Sequence, residues 1–172
     1  MSLRELTKDS HKKAETQPFV KILFSGEIDR KLYAKYLWNQ YQCYSMLETC
    51  ILEHDFAQDI PDFRRAPLIK EDFVELWGED KEPPTSLPVV EEYSNYIMSI
   101  KDDPKKLTAH LYVRHMGDLF GGQMLAKLLP GPNYMYTFDN VPELITAMRE
   151  RVDVSMAEEA NITFKLNIEI ID

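Results

Sequence analysis

"NITFKLNIEIID", residues 161–172, reads two ways, and the choice decides the fold class. Ile162, Phe164, Leu166, Ile168 and Ile170 alternate with other residues, the pattern of a half-buried strand. A helix fits as well. Ser155 and Glu158 form a capping box just upstream, and Ala157, Ala160, Phe164, Asn167, Ile168 and Ile171 share one face at a 3.6-residue period. The segment spans about sixteen residues, against roughly five or six for a typical strand. Length and cap favour helix, and no other segment offers a strand to pair with it. The chain is therefore expected to be all-α, one single-domain bundle of seven or eight helices over residues 1–172.

Working back from the tail, the other helices announce themselves by caps and periodicity. Ser2 and Glu5 make a capping box, after which Leu3, Leu6, Thr7, Ser10 and Ala14 trace one face until Pro18. A short helix is expected from Phe19 to Gly26. Asp29 caps a long one in which Tyr33, Tyr36, Leu37, Tyr44, Leu47 and Ile51 recur at helical spacings, ending near His54. Prolines 61, 67, 83, 84 and 88 then divide the chain, and Pro67 and Pro88 suit the first turns of "PLIKEDFVELWG" and "PVVEEYSNYIMSI". Pro104 opens a further helix that runs until Pro130 and Gly131.

Composition excludes several function classes. A balance of 20 basic against 29 acidic residues leaves a net charge of −9, which argues against nucleic acid as a partner. No apolar run approaches the roughly 20 residues of a membrane span, and no signal peptide opens the chain. A cytoplasmic protein is expected. Cys43 and Cys50, two helical turns apart, cannot form a disulfide with each other and read as buried thiols.

Two segments could carry chemistry. In "HMGDLFGGQML", residues 115–125, three of the chain's six glycines interrupt a helix, each at a cost of roughly 1 kcal/mol relative to alanine. With Arg114 taken as zero, Asp118, Gly121 and Gly122 fall at about 40°, 340° and 80°, so a charged pair and bare backbone share a face that could approach something flat. Close helix packing, or a Gly-Gly turn with an ordinary Arg114–Asp118 ion pair, explains the same residues. On the first helix, Arg4, Lys8 and His11 lie within about 60° of one another, with Glu15 one turn on. This stripe could hold a planar dianion whose centre is ligated by His11, Glu15 orienting the ring, or it could be a solvated charged face. His110 and His115, five apart and about 140° around the helix, do not make a metal pair. Hydrolase, phosphoryl-transfer and dinucleotide motifs are absent.

Taken together, "ELTKDSHKKAETQPFV" and "HLYVRHMGDLFGGQML" resemble the two signature stretches of the heme oxygenases. "YQCYSMLE", "YTFDNV" and "EEANITFKLNIEI" resemble further landmarks of that family in the same order. The resemblance implies heme b as both substrate and oxygen-activating cofactor, with His11 as the iron ligand and Gly117, Gly121 and Gly122 over the distal face. It implies that Asp118, with Arg114, Tyr44 and Asn167, organises distal waters that direct bound O2 onto the porphyrin. Arg4 and Lys8 match positions that meet the propionates, Glu15 the partner of the axial histidine, and Tyr112 a distal-helix residue near the heme.

The implied reaction consumes three O2 and seven electrons and yields biliverdin, of the IXα isomer by family preference, with ferrous iron and carbon monoxide. Reduced ferredoxin is the implied donor, docking on a basic patch of Arg4, Lys8, Lys12 and Lys13, a bilin reductase the implied recipient, and the protein a monomer. One departure stands out. Between "YTFDNV" and "EEANITF" the chain is shorter than the family pattern, and "TAMRERVDV" offers Arg149 for a propionate, with Arg151 as second choice, Met148 replacing a tyrosine and no matching lysine. A heme carrier or sensor without turnover is the competing reading, weakened by the presence of both His11 and Asp118. A thiamin-handling enzyme on a related bundle would need a cysteine nucleophile, and neither cysteine has a matched partner in the sequence.

Overall fold

The computed structural model describes residues 2–54 and 63–171. They form ten α-helices: α1 (Leu3–Leu6), α2 (Lys8–Glu15), α3 (Pro18–Phe24), α4 (Arg30–Leu52), α5 (Ala66–Trp77), α6 (Pro88–Ser99), α7 (Pro104–Phe120), α8 (Gly122–Leu128), α9 (Val141–Arg151) and α10 (Ala157–Ile171). No strand occurs among the described residues, and Pro61 lies outside them.

The expected count of seven or eight helices is corrected upward because two expected helices are each broken in two. At Thr7 the side-chain hydroxyl donates to the Leu3 carbonyl at 2.9 Å, competing with the helical ladder and separating α1 from α2. At Gly121 the ladder breaks between α7 and α8.

The tail is helical, as its length argued. Its start differs from expectation, because Ser155 is not the cap. The Asp153 carboxylate accepts the Ser155 N–H at 2.8 Å and opens a 3-10 turn, Val154–Met156, that leads into α10. Ala160 and Phe164 of α10 are buried with Leu3 of α1 and Ala109 and Val113 of α7, so the two ends of the chain close over α7. The caps at Ser2, Asp29 and Asp103 form as their residue types demand, each side chain accepting a backbone N–H three residues on.

The 23-residue helix α4 is the axis of the bundle and packs against α5, α6 and α7. Tyr33, Leu37, Leu47 and Ile51 are fully buried along it. A side chain of leucine size buried so completely stabilises the fold by about 1.5–3 kcal/mol. Cys43 and Cys50 are buried thiols on the same helix.

Two buried carboxylates tie the connecting segments to this frame. Glu48 accepts the N–H groups of Arg65 (2.7 Å) and Ala66 (3.0 Å), satisfying the N-terminus of α5. Asp72 accepts those of Tyr134 (2.8 Å) and Met135 (3.0 Å), seating a 3-10 turn, Tyr134–Tyr136, against α5. Asn133, with a left-handed φ of 55°, donates to the Leu129 carbonyl at the end of α8 and accepts from the Tyr33 hydroxyl.

The seated turn decides the identity of residue 122. A Cβ built on Gly122 would lie 2.3 Å from Cδ1 of Tyr136, a ring that is itself buried. Gly122 is therefore required by packing inside the protein, whatever else lies against it. Gly122→Ala is expected to lower apo-protein stability by about 1–3 kcal/mol, read as a drop in the urea midpoint. Gly117 is the opposite case, because a Cβ there would meet nothing within 4 Å. Gly117→Ala is expected to raise apo stability by about 1 kcal/mol in the same measurement.

Candidate active site

α7 carries the expected distal residues on its inner side. Arg114 and Asp118 are both buried there, one turn apart. From α4, the Tyr44 hydroxyl donates to Oδ2 of Asp118 at 2.8 Å. Burial pushes the Asp118 carboxyl up to about 6, against the opposing pull of His115, the Tyr44 hydrogen bond, Arg65 and Arg114. Burial also pushes Tyr44 well above the ordinary tyrosine range, so its hydroxyl stays a donor.

Arg114 does not form the expected ion pair with Asp118. Its Nε donates to the Tyr93 hydroxyl of α6 at 3.0 Å and its Nη1 to Oε1 of Gln40 at 3.2 Å, while the guanidinium lies over the Tyr93 and Tyr44 rings. Its Nη2 is buried with no hydrogen-bond partner among the described residues, as is Oδ1 of Asn167 on α10. A buried donor and a buried acceptor left unmatched are what ordered waters satisfy.

A second polar chain runs away from Arg114. The Tyr93 hydroxyl, already accepting from Arg114, pairs with Nδ1 of His110 at 3.0 Å, and Nε2 of His110 pairs with Oε1 of Glu159 at 2.9 Å. Tyr96 also donates to Glu159. Burial pushes the His110 pKa down, leaving a neutral ring that accepts from Tyr93 and donates to Glu159. The chain holds the guanidinium in place rather than passing protons to it, because arginine has no acceptor. Gln40, Tyr93 and Glu159 were not singled out from the sequence, and His110 was weighed there only as a metal ligand. Gln40 stands one turn before Tyr44, a spacing that could have flagged it, whereas Tyr93 and Glu159 come from helices whose docking no local pattern encodes.

On the other side, His11 is exposed on α2, a helix with no buried residue. Its Nδ1 lies 3.3 Å from Oε1 of Glu15, and its ring meets Phe164 edge-on at 5.8 Å. With Nδ1 facing the carboxylate, Nε2 is left for a ligand. Phe164 and Asn167 are neighbours on α10, which packs against both α2 and α7 and so links the His11 helix to the Asp118 helix. Arg4 and Lys8 are exposed on α1 and α2, and the break at Thr7 divides the stripe they were expected to form.

Tyr112 of α7 is half-buried, and burial raises its pKa while the charges of Arg4 and Arg149 both oppose the rise. Nη1 of Arg151 donates to the Ala147 carbonyl at 2.7 Å. Met148 lies in the core. Gly117 is exposed, and beyond it Phe120 and Met124 present apolar surface, 56% and 61% exposed.

The chain and its fold have known relatives. Residues 1–144 match the family model described as heme oxygenase. The chain belongs to the heme oxygenase family. The heme oxygenase of Porphyra purpurea is 32% identical, with 99% of this chain and 84% of that protein covered. That of Rhodella violacea is 29% identical over 204 positions, again covering 99% and 84%. That alignment runs over 204 positions against the 172 residues given, so it places insertions of the Rhodella protein within the aligned region of this heme oxygenase. The crystal structure of heme oxygenase-1 from the cyanobacterium Synechocystis in complex with heme superposes with a TM-score of 0.86 at 26% identity, covering 98% of this chain and 88% of that one. The heme oxygenase of Leptospira interrogans gives the same TM-score at 27% identity, covering 98% and 96%. No described helix of this heme oxygenase is long and apolar enough to cross a membrane.

Proposed function

We propose that this heme oxygenase binds heme between α2 and α7 and opens it with three O2 and seven electrons to biliverdin IXα, ferrous iron and carbon monoxide. The observation that carries the reading is the buried Tyr44–Asp118 hydrogen bond beside the open backbone of Gly117. A mid-helix glycine that no packing of the protein explains is accounted for by a flat substrate lying against it.

Heme supplies the iron that activates O2 and the carbon that is attacked. His11 holds that iron through Nε2, with Glu15 fixing the tautomer through Nδ1. Arg4, Lys8 and Arg149 hold the propionates, and Tyr112 packs near them. Asp118 holds waters together with Tyr44, Asn167 and Nη2 of Arg114, and these waters deliver protons on the distal side. The unmatched atoms of Asn167 and Arg114 support this role. Gly117, Gly121 and Gly122 would leave that face free of side chains, so that a porphyrin could lie against backbone and the orientation of attack would be set sterically.

Electrons come from a reduced ferredoxin docking on Arg4, Lys8, Lys12 and Lys13, and the product passes to a bilin reductase. The protein works as a cytoplasmic monomer. The test is an absorption spectrum with one equivalent of hemin, followed after adding ferredoxin, its reductase and NADPH in air with catalase present. Loss of the Soret band with growth of a broad red band is the expected result. A Soret band that persists, with ascorbate as alternative donor too, would overturn turnover and leave a heme carrier.

A further inference from the structure

We infer that Glu159 is a positioning residue for Arg114: by fixing the tautomer of His110 it turns the Tyr93 hydroxyl proton away from the guanidinium, so that Nε of Arg114 is held on Tyr93 and Nη2 is the nitrogen left to meet a distal water. The inference deepens the reading of Arg114 as a member of the distal set, and rests on that reading for its catalytic meaning.

Every link is a direct contact. Oε1 of Glu159, on α10, lies 2.9 Å from Nε2 of His110 and also accepts from the Tyr96 hydroxyl. Nδ1 of His110, on α7, lies 3.0 Å from the Tyr93 hydroxyl of α6, and that hydroxyl accepts from Nε of Arg114 at 3.0 Å. Tyr93 and His110 are fully buried, so bulk water supplies neither with a substitute partner. Against the upward pull of burial, the bonds from His110 and Tyr96 hold the Glu159 carboxyl below its ordinary range, and burial keeps the His110 ring neutral.

A neutral imidazole carries one N–H, which leaves two placements. With the proton on Nε2 every atom of the chain is matched: Nε2 donates to the carboxylate, Nδ1 accepts the Tyr93 proton, and the phenol oxygen keeps its lone pairs for Arg114. With the proton on Nδ1, the Nε2 lone pair would face a carboxylate, the phenol oxygen would receive two donors, and the Tyr93 proton would lose its acceptor. Buried polar atoms left unmatched are expensive, so the charge of Glu159 selects the first arrangement.

The guanidinium is then left with little freedom. Nε is on Tyr93, Nη1 donates to Oε1 of Gln40 at 3.2 Å, and the group lies over the Tyr93 and Tyr44 rings. Its donors form a rigid planar fork, so two fixed nitrogens set the direction of the third. That third nitrogen, Nη2, is buried with no partner among the described residues. The Tyr44 ring beneath the guanidinium carries the hydroxyl that bonds Asp118, so one side chain supports both the cation and the distal carboxylate.

The test is 15N NMR of the heme-free protein, with the His110 ring assigned by His110→Asn and the Arg114 Nε–H by Arg114→Lys. In the unaltered protein the His110 proton is expected on Nε2, and the Arg114 Nε–H is expected to exchange slowly with solvent. Glu159→Leu is expected to shift the His110 proton toward Nδ1 and to speed that exchange by about tenfold, the effect of losing one hydrogen bond of ordinary net strength. Glu159→Gln, whose amide oxygen still accepts from Nε2, is expected to restore both, an outcome that lost packing at residue 159 does not predict. Tyr93→Phe is expected to speed the exchange to a similar extent, and serves if Glu159→Leu does not fold. A proton on Nδ1 of His110 in the unaltered protein, or an Arg114 exchange rate unchanged in the folded variants, would overturn the inference. Because no heme is present, these outcomes are distinct from failure of the protein to degrade heme, which leaves the spectra untouched. In the loaded enzyme, Glu159→Leu is expected to slow biliverdin formation while hemin affinity is kept, and Glu159→Gln to recover it.

Discussion

Asp118→Asn is expected to lower biliverdin formation by about 10²- to 10⁴-fold, the range that a positioned proton-handling group contributes, while heme binding persists. The side chain keeps its shape and its contact with Tyr44 but no longer acts as a carboxylate toward the distal waters. Single-turnover decay of the Soret band and a hemin titration, measured on the same preparation, separate the two effects. Undiminished turnover would remove Asp118 from the mechanism.

The same substitution is expected to stabilise the heme-free protein. The folded-state pKa of Asp118, about 6, lies above the ordinary 3.8, so the fold binds the proton more tightly than the unfolded chain does. Stability associated with this group is therefore full below about pH 4 and lost as pH rises through about 6. Two units correspond to about 3 kcal/mol as an upper figure. Asn, which carries no charge to bury, escapes that loss, so its advantage in urea denaturation is expected at pH 7–8 and absent at pH 4. A residue that costs the fold stability and is paired to a buried tyrosine is the signature of a group retained for chemistry.

His11→Ala is expected to have an effect of similar size through a different route. Losing an iron ligand should cost at least the roughly 10- to 100-fold typical of the groups that merely orient ligands. The heme complex should lose its histidine-ligated spectrum, and added imidazole should restore it. Stability should change by no more than about 0.5 kcal/mol, because the His11 side chain is 59% exposed on a helix that buries nothing. A heme spectrum identical to that of the unaltered protein would exclude His11 as the ligand.

Much of the secondary structure was legible locally. The Ser2, Asp29 and Asp103 caps, the prolines at helix starts and the stripe along α4 act within a few residues of each other, and so do the interactions they report. The two helix breaks were harder to see. Thr7 back-bonds within its own turn, and Gly121 permits a break without compelling one. Of the site, His11 with Glu15 and the Arg114-to-Gly122 run were visible because each is contiguous in sequence, the first on α2 and the second along α7 to the start of α8. Their partners were not, since Gln40 and Tyr93 reach Arg114 from α4 and α6.

The glycines show most clearly where local reading stops. All three have the same local cost, yet Gly122 answers to the Tyr136 ring, Gly121 to the break between two helices, and Gly117 to nothing in the protein. The sequence by itself determined an all-α chain, its main helices, and a family resemblance resting on spaced motifs. The tertiary structure alone decided that Tyr44 bonds Asp118, that Arg114 turns to Tyr93 and Gln40, and that Glu48 holds His115. The physical reason is range. Caps and periodic faces are satisfied within one or two turns, whereas a buried polar group takes whatever partner the docking of distant helices brings within about 3 Å.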